Sequence, residues 1–181
     1  MSANPAKHLM TVEEYRQLPE TVGDFEYELH HGELVPVSRP KLKHHLIQSR
    51  LRELLRAIAP TGSWVETEVA FRAFPEYDIR AADVGYICPE RWSQADPEDN
   101  IHGAPDIAIE VLSPSNTVRE MYEKEQLCLS RGGQEFWVVD PDKHTVRVAR
   151  VDGPTVTCGP GERIPLPLFG DRSLEVDQLF S

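Results

Sequence analysis

Three residues of this sequence have the types and the spacing for metal-assisted chemistry on a phosphate. Asp83 and Glu110 fall in two successive strand segments, AADVGYIC and PDIAIEVL, and Lys124 falls in the helical segment that follows. If the two strands are neighbours, their carboxylates can converge on one hard cation such as Mg²⁺, which prefers oxygen ligands and keeps several of its waters. The lysine could then polarise the attacking water or stabilise charge on the phosphate. An acidic strand end in solvent and a surface lysine would give the same pattern, so the residues alone leave both interpretations open.

Helical periodicity does not decide whether Lys124 or its neighbour Glu125 points into the protein. The predicted buried stripe of this helix is apolar and consists of Val118, Met121, Cys128 and Leu129. Lys124 lies at the edge of that stripe, and Glu125 lies closer to its centre. Both charged residues are therefore candidates to point inward.

The segments that must position these residues alternate between strand and helix patterns. Capping signals and apolar residues at steps of three and four predict helices at residues 10–18, 41–59 and 117–131. Alternating or continuous apolar runs predict a hairpin at 25–37 around His31-Gly32, strands at 64–73, 81–88, 105–112, 135–141, 144–151 and 154–158, and a loop-rich tail. This order predicts an α/β fold of the mixed α+β kind, in which a central mixed β-sheet is flanked by helices.

Length and composition limit the class of protein. A chain of 181 residues is about one domain long, so we expect residues 1–181 to form a single domain. An apolar fraction of 40% excludes disordered and fibrous classes. The sequence has no apolar run long enough for a membrane span and starts without a signal-peptide pattern, which predicts a cytoplasmic protein. Three cysteines at unrelated spacings argue against a disulfide framework or a zinc cluster, and without a glycine-rich phosphate loop we expect no organic cofactor.

The charge of the chain is unevenly distributed. The formal net charge of -11, taken alone, disfavours a nucleic acid as partner, because phosphate-binding proteins usually have a basic surface. Between Arg39 and Arg56, however, six basic residues are accompanied by Glu53 alone, which gives this segment a charge of +5. The helix predicted there could therefore offer a basic surface on an acidic protein.

Several sequence blocks, read in order, resemble one protein family. YELHHGEL, KHHLIQSRLRELL, RAADVGYI, APDIAIEVLSPSN, the lysine of the following helix and EFWVVDP are together similar to the bacterial putative restriction endonuclease family of the PD-(D/E)XK nuclease superfamily. The resemblance runs from about residue 11 to residue 150, and its most specific parts are PDIAIEVLSPSN and EFWVVDP at their mutual spacing. It implies a restriction-endonuclease-like core and an endonuclease that uses Mg²⁺ or Mn²⁺ to hydrolyse DNA phosphodiester bonds.

The resemblance also implies roles for individual residues. Asp83 matches the metal-binding aspartate of the family, and Glu110 matches the acidic residue of its (D/E)XK half. The residue two positions further is Leu112 instead of the superfamily's lysine. In this family the lysine resembles one displaced onto the next helix, which corresponds to Lys124. Glu28, in YELHHGEL, matches an early acid that the family places near the site.

The predicted basic helix supplies candidate contacts with nucleic acid. We expect Lys41, Lys43, His44 and Arg50 to bind the DNA implied by the resemblance. A chain of 20.5 kDa that cuts both strands would need one site for each strand, so we also expect a homodimer.

Pro105-Asp106 is the literal PD dipeptide of this sequence and gives an alternative to Asp83. Asp106 lies four residues before Glu110 on the same strand face, a separation of roughly 13 Å at 3.3 Å per residue. That distance is too long for both carboxylates to bind one ion directly, so Asp83 is the preferred candidate.

Two other functions remain compatible with the sequence. A nuclease-derived fold could bind nucleic acid or a protein partner without cutting, or the fold could assemble through its sheet edges without any ligand. The presence of Asp83, Glu110 and Lys124 together favours the enzyme, because a binding module has no chemical need for all three.

Overall fold

The structure is a computed structural model, and it describes residues 8–19, 26–37 and 41–181. The described helices are α1 (Val12–Tyr15), α2 (Leu42–Ile58), α3 (Pro89–Trp92) and α4 (Val118–Ser130). The described strands are β1 (Glu26–His30), β2 (Glu33–Val37), β3 (Trp64–Arg72), β4 (Arg80–Ile87), β5 (Ile101–His102), β6 (Ile107–Val111), β7 (Glu135–Asp140), β8 (Thr145–Arg150), β9 (Val156–Cys158), β10 (Arg163–Leu166) and β11 (Arg172–Glu175). None of the described helices is both long enough and apolar enough to cross a lipid bilayer.

A seven-stranded mixed sheet lies at the centre, in the order β5-β3-β4-β6-β7-β8-β9. Strand β6 runs parallel to β7 and antiparallel to β4. Successive residues of a strand point to opposite faces, and Ala108 and Ile109 of β6 accordingly belong to two separate core clusters. The cluster with Ile109 contains Leu51 of α2, and the cluster with Ala108 contains Cys128 of α4. The two long helices therefore cover opposite faces, which confirms the predicted mixed sheet flanked by helices.

The predicted first hairpin is present as β1 and β2. Its two-residue turn has positive φ angles at both positions, 48° at His31 and 78° at Gly32, as a type I′ turn requires. A Cβ on Gly32 would also lie 2.7 Å from the Cβ of Leu9, so glycine is needed for space as well as for conformation. A backbone bridge between Leu29 and Ile79 holds the hairpin beside the start of β4. The predicted first residue of the hairpin, Phe25, lies outside the described residues.

The first turns of both long helices carry exposed apolar side chains. Thr117 and Glu120 form the predicted capping box at the start of α4. The prediction that Val118 is buried was wrong, since its residue is 89% exposed in the first turn. Leu42 and Leu46, at the start of α2, are exposed in the same way. Apolar periodicity thus overestimates the buried face at the start of each helix.

The tail, predicted to be rich in loops, contains a further hairpin of β10 and β11. The alternation of β10 is short: Ile164 and Leu166 are buried, and Arg163 and Pro165, which alternate with them, are exposed. The buried side chains join the larger core cluster together with Leu174. Four-residue strands give too short a pattern to be distinguished from a loop in the sequence.

Candidate active site

The central sheet opens into a fork between β4 and β6. The backbone ladder of these strands ends at the pair Val84↔Ile109, and the next pair in the same register would be Asp83 and Glu110. At that position the Oδ2 atom of Asp83 accepts a hydrogen bond of 2.7 Å from the backbone N–H of Val111. The side-chain carboxylate of Asp83 thus takes the place of the neighbouring strand's backbone as the acceptor. The two predicted metal ligands therefore lie at the point where the strands separate.

Two further predicted residues bond the backbone of β4 at the fork. The N–H of Ala81 donates to Oε1 of Glu28 over 3.1 Å, and Nζ of Lys124 donates to the carbonyl oxygen of Ala81 over 2.6 Å. The fold therefore brings together Asp83, Glu110, Lys124 and Glu28, which we call the fork site.

Lys124 forms an ion pair with Glu110 inside the fork. Its Nζ lies 2.8 Å from Oε2 of Glu110, and the side chains are only 16% and 7% exposed, respectively. Glu125 also points inward, where it pairs with Arg147 of β8. Both candidates left open by periodicity are therefore turned toward the protein, but Lys124 lies at the fork and Glu125 does not.

The fork site has more negative than positive charge. Burial, together with the charges of Asp83 and Glu28, raises the pKa of Glu110 to about 8 although Lys124 opposes the shift. Burial alone would lower the pKa of Lys124, but Glu110 and Glu28 raise it above its ordinary value. For Glu28, burial acts to raise the pKa, and Lys124 and His30 outweigh it so that the pKa is lowered. Among the four fork residues, one lysine thus faces the carboxylates of three residues.

The carboxylate oxygens at the fork fit a divalent cation. The Oε1 atom of Glu110 is buried and has no hydrogen-bond partner among the described residues, an arrangement that is costly for a carboxylate. A cation bound by Asp83 and Glu110 would supply the missing partner. No group of three His, Cys, Asp or Glu side chains suited to a metal occurs in the described ranges. An ion here would therefore complete its shell with backbone oxygen and water, as Mg²⁺ usually does.

Of the four predicted DNA contacts, His44 lies at the fork. Its Nε2 atom is 3.1 Å from Oδ2 of Asp83, the side chain is 12% exposed, and neither ring nitrogen has a hydrogen bond of good geometry within the described part of the chain. Lys43 contacts Asp142 over 3.3 Å. Arg50 donates to the carbonyl oxygen of Gln178, and Lys41 is exposed at the N-cap of α2. The fold brings His44 to the acids and holds Lys43 and Arg50 against other segments.

A second layer of residues that sequence reasoning missed holds the acids. Gln48 of α2 donates from Nε2 to Oδ1 of Asp83 over 3.1 Å. His30 donates from Nε2 to Oε2 of Glu28 over 2.6 Å, and Arg80 donates to Nδ1 of the same ring over 2.5 Å. The sequence signal for Gln48 is a polar residue on the otherwise apolar face of α2, four residues after His44.

Asp106 has a structural role at the other end of β6. Its Oδ2 accepts a hydrogen bond of 2.8 Å from the backbone N–H of Cys88, and its Oδ1 lies 3.3 Å from Nη1 of Arg91. Asp106 precedes Ile107, the first residue of β6, whereas Glu110 lies near the end of that strand. The literal PD dipeptide therefore does not contribute to the fork site.

Comparisons with known proteins identify a family and a similar solved structure. The model of the Uma2 family, described as "putative restriction endonuclease", matches residues 12–177. Among solved structures, the chain is similar to a crystal structure described as "a putative nuclease belonging to DUF820" from Anabaena variabilis, with 26% sequence identity and a TM-score of 0.78 over 94% of this chain and 97% of that chain. No curated protein matches the chain. The similarity thus covers every strand and helix that contributes to the fork site.

Proposed function

The chain belongs to the Uma2 family, and we propose that it is an endonuclease that uses Mg²⁺ or Mn²⁺ to hydrolyse phosphodiester bonds of DNA. Membership of this family and similarity to the structure described as "a putative nuclease" support a nuclease-like function. The observation that carries the metal-dependent chemistry is the buried Oε1 of Glu110, which lacks a partner among the described residues beside a second carboxylate, Asp83. A cation at this point satisfies both acids.

Asp83 and Glu110, together with the backbone carbonyl of Val111, would hold the ion. A divalent cation bound there would draw electron density from a phosphate oxygen and lower the pKa of a bound water. Asp83 is suited to the task because the N–H of Val111 already fixes its orientation. Glu110 is suited because it is held by Lys124 through one oxygen and keeps the other without a partner among the described residues.

Lys124 acts as a fixed positive charge and not as a general base. Glu110 and Glu28 raise its pKa, so the amine stays protonated at neutral pH. An ammonium group in this position donates hydrogen bonds to the attacking water or to the phosphate oxygens, which gain negative charge in the transition state. Glu28 supports this role, since it is bonded to His30 and to the backbone of β4 and lies close enough to stabilise the charge of Lys124.

DNA would approach the fork from the N-terminal end of α2. His44 is in contact with Asp83, and Lys41 and Lys43 are exposed within the preceding turn. The net charge of -11 repels the DNA phosphates, and these basic side chains would offset that repulsion locally. We further propose that residues 1–181 act as one domain, and that a homodimer provides one site for each DNA strand.

Cleavage assays with two matched variants test this function. Asp83 and Asp106 each accept a backbone N–H with one carboxylate oxygen, so Asp→Asn at either position keeps an acceptor of the same shape. Supercoiled, linear and single-stranded DNA are incubated with the protein in Mg²⁺, Mn²⁺ or Ca²⁺. We expect cutting in Mg²⁺ or Mn²⁺ that falls at least about 100-fold in Asp83→Asn and is unchanged in Asp106→Asn.

Two outcomes would contradict the proposal. Equal cutting by the wild type and Asp83→Asn would remove the metal centre from the reaction. Salt-sensitive DNA binding without cutting in any of the three cations would indicate a nuclease fold that binds nucleic acid and does not cleave it.

A further inference from the structure

Gln48 is a buried polar residue that contacts two carboxylates at once. Its residue is 1% exposed on the face of α2 that packs against the sheet. Its Nε2 donates to Oδ1 of Asp83 over 3.1 Å and to Oε1 of Glu68 over 2.5 Å, and its Oε1 accepts from Nδ1 of His45 over 3.0 Å. Ionised carboxylates only accept hydrogen bonds, so these partners fix which side of the amide faces the acids.

Glu68 has a backbone conformation that is unusual for its position. It lies in the middle of β3 between the pairs Thr67↔Val84 and Val69↔Ala82, opposite Asp83, and its φ angle is +52°. Left-handed conformations are uncommon for residues other than glycine and persist where the surroundings hold them. The hydrogen bond from Gln48 is a contact that can hold Glu68 in this conformation.

We propose that Gln48 is a positioning residue for the metal ligand Asp83 and that Glu68 keeps the Gln48 amide in place; this inference rests on the metal centre of the proposed function. The N–H of Val111 bonds Oδ2 of Asp83 and the amide of Gln48 bonds Oδ1, so both oxygens are oriented before a cation arrives. His44 also lies 3.1 Å from Oδ2, but each carboxylate oxygen can accept two bonds, which leaves Oδ1 with capacity for the cation. Residues that orient a metal ligand typically change metal affinity about 10- to 100-fold when they are replaced.

The substitution Gln48→Met tests the role of the amide. Methionine keeps the length of the side chain and fills the same space, but it donates no hydrogen bond to Asp83. We expect its dissociation constant for Mn²⁺, measured by titration calorimetry, to rise at least about 10-fold. Cleavage at saturating Mn²⁺ should stay within about threefold of the wild type, because the ligands and Lys124 remain present.

Leu51→Met is the matched control, because it changes packing one turn later on the same buried face, and leucine has no polar atom that could bond an acid. We expect its Mn²⁺ affinity to equal that of the wild type. A second variant, Glu68→Gly, removes the carboxylate and lets the backbone keep its positive φ without strain. Its Mn²⁺ affinity should fall less than that of Gln48→Met, by about threefold, because the bond between Gln48 and Asp83 remains possible.

Different results overturn different parts of this inference. If Gln48→Met binds Mn²⁺ as the wild type does and loses only thermal stability, the amide is structural and the inference fails while the metal centre stands. An equal loss of affinity in Leu51→Met would assign the effect to packing and would also overturn it. If the wild type itself binds no Mn²⁺, both the inference and the proposed metal centre fail.

Discussion

Two clusters of charged side chains in this protein shift the pKa of a carboxylate in opposite directions. Asp99 accepts hydrogen bonds from Arg16, Arg72 and His102, and we call these four residues the Asp99 cluster. Partial burial acts to raise the pKa of Asp99, but the bonds from His102 and Arg16 hold it well below its usual range. In the fork site, burial raises the pKa of Glu110 to about 8. Asp99 is bonded by surrounding basic residues and has a structural role, whereas the buried acids of the fork site outnumber its lysine, which is why we propose a cation there.

The shape of the surface does not make this distinction. A cavity of about 480 Å³ borders Asp99 and His102, and none of the four fork residues lines it. The Asp99 carboxylate beside this cavity already accepts the hydrogen bonds named above, and the backbone N–H of Asn100 donates to it as well. The balance of charge and the Glu110 oxygen that lacks a partner in the described part of the chain, and not the volume of a pocket, therefore identify the fork as the candidate for chemistry.

Removing one cation from each region should give the largest contrast. Lys124→Met is expected to reduce DNA cleavage about 1000-fold, because it removes the charge that we propose faces the phosphate in the transition state. Arg16→Gln removes a cation from the Asp99 cluster and should leave the cleavage rate unchanged. Rates measured under single-turnover conditions in Mn²⁺ compare the two. A loss of similar size in both variants would mean that the two clusters do not differ in function.

Local patterning predicted the elements that carry the fork, but not the fork itself. The structure places β6 at Ile107–Val111 and α4 at Val118–Ser130, inside the ranges 105–112 and 117–131 that the sequence indicates. The end of the ladder at Val84↔Ile109 depends instead on whether the N–H of Val111 bonds a strand or the side chain of Asp83. Both possibilities have the same alternation of apolar residues, so the sequence cannot distinguish them.

The site residues differ in how far the sequence could identify them. Family resemblance, and not periodicity, selected Lys124 over Glu125, because both residues point inward and each has a partner of opposite charge. Gln48 was missed although a polar residue on an apolar helix face is a usable signal. Glu68 has no such signal, since a left-handed residue in a strand is expected to be glycine or asparagine.

Divalent cations should stabilise the fork and not the Asp99 cluster. At ten times its dissociation constant, Mn²⁺ should add about 1.4 kcal/mol to the free energy of unfolding, which raises Tm by about 3–6 °C. Glu110→Gln should lose this shift. Glu125→Gln is its matched control, because Glu125 is also a buried glutamate paired with a cation, Arg147. Thermal unfolding with and without Mn²⁺ at pH 7.5 measures the effect, and a full shift in Glu110→Gln would contradict the proposed ligand.

The two regions should respond to pH in opposite directions when no divalent cation is present. The raised pKa of Glu110 means that the folded protein holds a proton that the unfolded chain releases, so stability falls as pH rises from about 5 to 8. The lowered pKa of Asp99 gives stability that is present above pH 4 and is lost as pH falls further.

Thermal unfolding in EDTA across this pH range separates the two groups. Glu110→Gln should flatten the decline between pH 5 and 8, which amounts to at least about 1 kcal/mol, or about 2–4 °C in Tm. Asp99→Asn should flatten only the decline below pH 4. Equal slopes for the wild type and Glu110→Gln between pH 5 and 8 would show that Glu110 is ionised in the free protein.

The smallest expected effect concerns the salt dependence of DNA binding, because each phosphate contact adds only one counterion to the slope. If DNA reaches the fork along the start of α2, Lys41→Gln with Lys43→Gln should reduce the slope of log Kd against log salt by about two, measured in Ca²⁺ by fluorescence anisotropy. Arg16→Gln should leave the slope unchanged, because its guanidinium already bonds Asp99. Lys43 has to exchange its contact with Asp142 for a phosphate, so its share should be the smaller of the two. A slope that falls in Arg16→Gln and not in the lysine variant would place the DNA at the Asp99 cluster and reverse the assignment of the two regions.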